Sequence, residues 1–97
     1  MKTEINLGQD AQQIQIFKAL ADPIRLQILQ YIKQTDHPVA CGEVGRAVNI
    51  SKTSGSYHFK LLEAAGLITA EKIAREKYVT INWSTFETYV TNFTQRL

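Results

Sequence analysis

One cysteine, Cys41, is all the thiol this chain of 97 residues carries. A lone thiol excludes an internal disulfide framework and points to a reducing cytoplasm. Prolines number two and glycines five, too few for an extended proline-rich linker or a flexible Gly/Ser spacer. There is no Gly-rich phosphate loop, and with only two histidines no His–carboxylate–nucleophile arrangement, so an enzyme is not expected. Uncharged apolar runs extend only a few residues, against the roughly 20 of a membrane span. Met1 to Asp10 holds no apolar block of the secretory kind and reads as a short polar leader. Neither charge sign dominates: 11 Lys+Arg face 9 Asp+Glu, a formal net charge of +2. Such a balance permits nucleic-acid binding without demonstrating it.

The composition is that of a folded protein, 44% hydrophobic and 21% charged, and its length suits one domain over residues 1–97 with one modest core. The first helix is expected over Ala11 to Ala21, with Ile14, Phe17, Leu20 and Ala21 at helical spacing. Asp22-Pro23 then supplies an N-cap and a first-turn proline. A second helix follows to about Gln34, with Ile24, Leu26, Ile28, Leu29 and Ile32 inward. Val39-Ala40-Cys41 reads as a short extended piece. Gly42 would cap a helix over Glu43 to Val48, and Ser51 one over Lys52 to Ala65 that ends at Gly66. The period then changes: Leu67–Ile73 and Lys77–Ile81 form a hairpin around a charged turn. A last helix begins at Trp83-Ser84 and aligns Phe86, Tyr89, Val90, Phe93 and Leu97.

Two helices separated by Asn49-Ile50-Ser51 have the proportions of a helix-turn-helix, and the hairpin behind them makes it winged. The fold class is therefore mainly α with a β-hairpin, about five helices and a two-stranded wing. The runs FKALADPIRLQILQYI (17–32), GEVGRAVNISKTSGSYHFKLLEAAGLI (42–68) and EKIAREKYVTIN (71–82) resemble, in order, the segments of the ArsR family of bacterial transcriptional regulators. The resemblance implies a homodimer that represses by binding double-stranded operator DNA until an effector, unidentified here, releases it.

The residues themselves carry the same message. Lys52, Thr53, Ser56, Tyr57 and Lys60 share one side of the second helix of the pair, while Phe59, Leu62 and Ala65 turn to the other. Short hydroxyls approach base edges, lysines reach phosphates or guanine, and a tyrosine stacks or donates. At the wing, Arg75 and Lys77 are candidate backbone contacts. The alternative is a winged-helix module for protein–protein contact without DNA, which the absence of acid along Lys52–Lys60 argues against. His58, beside Leu62, is expected to be hydrogen-bonded inside the domain. Metal-sensing relatives carry a Cys-x-Cys pair where this chain has Ala40-Cys41-Gly42, and the segment Ser84–Leu97 has no histidine. No metal site and no cofactor are expected, and Cys41 reads as a small buried hydrophobe. Gly55 stands where the family usually has Val, Ile or Leu. Glycine costs roughly 1 kcal/mol of helix propensity; either a neighbouring aromatic fills the space or the helix is loose. Dimerisation is assigned to the two ends of the chain, through Ile14, Phe17, Phe86, Tyr89, Val90 and Phe93.

Overall fold

The computed structural model describes residues 7–97, with side chains from Ala11 onward. Helix α1 spans Leu7–Leu20. Most of the expected leader thus lies outside the described residues, and its last four belong to α1. On α1 the inward residues are Gln13, Ile16 and Ala19, whereas Ile14 and Phe17 are exposed. The inner face is therefore offset by one residue from the expected one, because a polar glutamine occupies one of its positions.

Helix α2, Pro23–Gln34, begins as expected: Asp22 accepts from the backbone amide of Arg25 at 3.0 Å, and Pro23 occupies the first turn. Its buried stripe is Arg25, Ile28, Leu29 and Ile32. These stand at i, i+3, i+4 and i+7, the spacing of one helical face. The expected inward Leu26 is exposed, and Arg25 is buried in its stead.

Strand β1 (Val39–Ala40) hands directly to α3 (Cys41–Ala47), with Ala40 rather than Gly42 in the capping position. β1 pairs with β3 through Val39 and Val79, so the sheet has three strands in the order β1-β3-β2 and extends beyond the expected hairpin. Asn49 takes a left-handed φ of 59° in the turn, a conformation that asparagine tolerates better than most residues. Ser51 Oγ then accepts from the Ser54 amide at 3.1 Å and opens α4, Lys52–Ala64.

Gly66, at φ +80°, ends α4. Its amide donates to Glu63 O and the Leu67 amide to Leu62 O, both at 3.0 Å, the paired closure of a Schellman motif. One residue later the chain enters β2 (Ile68–Ile73), which pairs in antiparallel register with β3 (Glu76–Ile81). Alternation across that register puts Ile68, Ala70, Val79 and Ile81 on the core side. The core itself joins Ile16, Ile28, Ile32, Val39, Val44, Phe59, Leu62, Leu67, Ile68 and Val79.

Gly55 is buried, and the packing around it answers the sequence question. A Cβ there would stand 3.5 Å from Ile50 Cδ1 and 3.7 Å from Phe59 Cε2. The aromatic and the turn isoleucine together fill the site. Those are ordinary contacts, so Gly55→Ala should stabilise the domain by about 0.5–1 kcal/mol through helix propensity alone. Urea unfolding monitored by circular dichroism checks this; a destabilised variant would show that the pocket cannot admit a methyl group.

The chain's end departs from one continuous α-helix. Helix α5 covers only Trp83–Phe86; a π-helical turn follows over Glu87–Thr91, then a 3₁₀ turn over Phe93–Arg96. The Asn92 amide reaches Glu87 O at 2.9 Å, the wider spacing of the π turn. Thr88, Tyr89, Val90 and Thr91 are β-branched or aromatic, residues that hold a tight α turn weakly. Leu97, expected on the inner stripe, is exposed.

Candidate nucleic-acid interface

Helix α4 separates its two faces as its sequence demands. Phe59, Leu62 and Ala65 are buried. Lys52, Thr53, Ser56, Tyr57 and Lys60 are all exposed, together with Ser51 and Ser54 at the helix start. The first turn of α4 holds no acid, so the positive end of its dipole is not neutralised. The result is a convex, hydroxyl-rich, basic surface of the kind a major groove admits.

The wing carries its cations in different ways. Arg75 lies in the two-residue turn between Ile73 and Glu76 and is exposed. Ala74 beside it adopts a left-handed φ of 57°. Lys77 is placed differently: its Nζ donates to Glu63 Oε1 at 2.8 Å. The ammonium expected at DNA is thus bound to the C-terminal half of α4 and links the wing to that helix. Both side chains remain nearly half exposed, so this contact contributes little to stability.

Beneath α4 lies a polar strap that the sequence did not disclose as one. Buried Arg25 donates from Nε to Ala19 O at 2.7 Å and from Nη2 to Lys18 O at 3.3 Å, closing the last turn of α1. Its Nη1 lies 3.1 Å from His58 Nδ1 on α4. Arginine only donates, so Nδ1 is the acceptor in this contact. Asp22 Oδ2 lies 3.9 Å from the same Nδ1. The Asp22 carboxyl is held below the usual carboxylate range, first by the Arg25 amide it accepts from and then by the guanidinium, against an opposing effect of burial. His58 is hydrogen-bonded inside the domain, and α1, α2 and α4 meet on one guanidinium.

Residues 20–71 match the family model described as a helix-turn-helix domain. The chain is 46% identical over 90 residues to an uncharacterized HTH-type transcriptional regulator of Bacillus subtilis, YceK, covering 93% of this chain and 90% of that one. The crystal structure of the ArsR family transcriptional regulator RHA00566 superposes with a TM-score of 0.76 at 26% identity, covering 88% of this chain and 91% of that one. The chain belongs to the ArsR family of winged helix-turn-helix transcriptional regulators. It is also 34% identical over 67 residues to the transcriptional repressor SdpR of Bacillus subtilis, covering 69% of this chain and 72% of that one. The homodimeric winged helix-turn-helix DNA-binding domain Mb0332 of Mycobacterium bovis shares the fold, with a TM-score of 0.75 at 22% identity over 99% of this chain and 90% of that one. Members of the family bind DNA and are not enzymes.

In this ArsR-family regulator α1 meets the C-terminal segment. The rings of Phe17 and Phe93 stand edge to face at 4.8 Å. Tyr89 Oη donates to Gln12 Oε1 at 2.9 Å, Gln13 Nε2 donates to Tyr89 O at 2.9 Å, and Arg96 lies over the Tyr89 ring. Phe86, Tyr89 and Val90 are half-buried against the core. The six residues assigned to dimerisation thus occupy adjoining elements, and all but Ile14 also pack within their own chain.

Cys41 opens α3 half-buried, and burial pushes its thiol up from the ordinary value, away from the thiolate that metals take. Among the described residues no group of three or more His, Cys, Asp or Glu side chains could hold a metal ion, and no helix is long and apolar enough to cross a membrane. DNA affinity should therefore stay within about twofold of its starting value in EDTA or with added zinc. A metal-dependent loss beyond ~10-fold in a gel shift would reveal a missed site.

The sequence reading did not single out exposed Ser54 or buried Arg25. Ser54 shares the exposed start of α4, and the acid-free run 51–60 was its signal. Arg25 gave one only in retrospect, since it sits at the centre of a stripe whose other members are apolar.

Proposed function

We propose that this regulator is a homodimeric repressor that works in the cytoplasm by inserting α4 into the major groove of a pseudo-palindromic operator. The observation that carries this reading is the exposed, acid-free face of α4 set on a fully packed inner face. Lys52 and Lys60 meet phosphates, and Thr53, Ser56 and Tyr57 approach base edges. Arg75 reaches the backbone or minor groove from the wing tip. Lys77, with its ammonium on Glu63, contributes placement of the wing and a share of the positive field.

Dimerisation supports the reading from the other end of the molecule. Ile14 and Phe17 are 47% and 38% exposed on a single chain, and together with Phe86, Tyr89, Val90 and Phe93 they form a patch able to meet its own copy. Two copies would set recognition helices about 34 Å apart, in successive major grooves.

Selection of bound fragments from a genomic pool, followed by gel shifts at two salt concentrations, tests the function and yields the site. Lys60→Ala should weaken binding to every sequence and reduce the salt slope by about one unit. Ser56→Ala and Tyr57→Ala should relax preference at particular base pairs, by about 1–3 kcal/mol each. If all three variants bind as the wild type does, α4 is not in the groove and the surface serves a protein partner instead.

A further inference from the structure

Glu63 is the one acid of α4, set a single residue before that helix ends. At 100° per residue it falls on the stripe of Lys52, Ser56 and Lys60, the face assigned to DNA. A carboxylate on that stripe repels a polyanion. The register of the wing places Lys72 directly opposite Lys77, on the sheet face that turns Ala70 and Val79 towards the helices. Like charges so placed, with Cβ atoms about 5 Å apart, destabilise a hairpin. Glu63 neutralises one of them, since Lys77 Nζ donates to its Oε1 at 2.8 Å. Among the described residues Lys72 has no ion-pair partner. The other acids of the wing, Glu71 and Glu76, project from the opposite face, where Glu76 accepts from Tyr78 Oη at 3.3 Å. Glu63, Lys72 and Lys77 are all exposed, and none belongs to the surface assigned to dimerisation.

We propose that Lys72 and Lys77 together form a site for one backbone phosphate of the duplex, which Glu63 occupies until DNA arrives. The site rests on the function proposed above. An exposed ion pair is weak, whereas a phosphate on lysine also releases a counterion from the duplex. The phosphate therefore displaces the carboxylate from Lys77 and engages Lys72 as well, so that two cations that repel each other share one anion. Lys77 accordingly has two roles: it links the wing to α4 in the free chain and holds the backbone in the complex. Glu63, left facing the duplex, lowers affinity for every sequence alike. It restrains non-specific binding and leaves the base contacts of Thr53, Ser56 and Tyr57 untouched.

Gel shifts of the full chain on selected duplexes, each with one phosphate replaced by an uncharged methylphosphonate, locate the site. At one position per half-site the replacement should weaken wild-type binding ~5-fold. Lys72→Ala and Lys77→Ala should each lose most of that penalty, and Lys72→Ala should reduce the salt slope by about one unit. Glu63→Gln should strengthen binding to every unmodified duplex ~5-fold, and the gain should vanish on the duplex neutralised at that position. Circular dichroism should be the same for all three variants, because each replaces an exposed side chain. A penalty that either lysine variant retains in full would overturn the shared site. A Glu63→Gln gain that persists on the neutralised duplex would overturn the exchange and leave Glu63 acting through the general field. A chain that binds no duplex at all would overturn the repressor reading and this site with it. One that binds, but with no phosphate whose loss the lysine variants escape, overturns the site alone.

Discussion

Charging Tyr89 and Phe93 together should leave a species near 11.0 kDa that has lost most of its operator affinity. The expectation follows from how little one chain brings to DNA: a single recognition helix and a formal charge of +2. A dimer doubles the contacts across two half-sites, and an unpaired charge buried in the contact costs several kcal/mol. Both side chains also have partners in their own chain, Gln12 for Tyr89 and Phe17 for Phe93. Circular dichroism must therefore show that the double variant retains its helices. Ile14→Lys supplies a second route, because Ile14 is 47% exposed in one chain and its replacement spares the monomer's core. Sedimentation of both variants, paired with gel shifts, gives the answer. A wild type that sediments as a monomer at micromolar concentration yet binds operator tightly would end the dimer reading.

Arg25→Ala should destabilise the domain as strongly as the loss of a core side chain, costing about 3 kcal/mol. Removing the guanidinium leaves the carbonyls of Lys18 and Ala19 and the Nδ1 of His58 without the donor they now share. For a domain of this size the loss lowers the melting temperature by on the order of 15 °C. Arg25→Lys should recover little, since an ammonium cannot reach along three directions in one plane. His58→Gln, which keeps an acceptor near the α4 position, should cost much less than Arg25→Ala. The pH dependence has a definite sign. The Asp22 carboxyl sits below its usual range, so its contribution is present above the unfolded value and fades as the pH falls through the folded one. A thermal melting series across acidic pH, for wild type and Asp22→Ala, measures that difference; equal acid sensitivity would remove Asp22 from the account.

Much of this was visible in the letters because particular residues leave the backbone few choices. Asp22-Pro23, Ser51 and Gly66 marked helix ends where they occur, and the change to period two at Ile68 marked the wing. The outward set on α4 was equally legible, since hydroxyls and lysines alternate there with residues that can only go inside. Arg25 was not, because a charged side chain reads as solvent-facing until two helix ends are seen to converge on it. The face of α1 was missed for a related reason: Gln13 is buried while Ile14 and Phe17 are exposed, so hydrophobicity alone named the wrong stripe. The break in the C-terminal helix and the Glu63–Lys77 contact depend on packing and on long-range pairing, which local spacing does not encode.

The closure at Gly66 has a mechanical consequence. Only Gly66 and Leu67 stand between the end of the capped α4 turn and the first residue of the wing, and both amides are fixed to the helix they leave. Lys77 adds an exposed ion pair between the returning strand and the same helix, a minor contribution beside the backbone closure. The short capped junction leaves α4 and the wing little freedom to move relative to one another. In the dimer proposed above, a half-site of unsuitable curvature would then have to bend, or the two protomers would have to pivot about their shared contact.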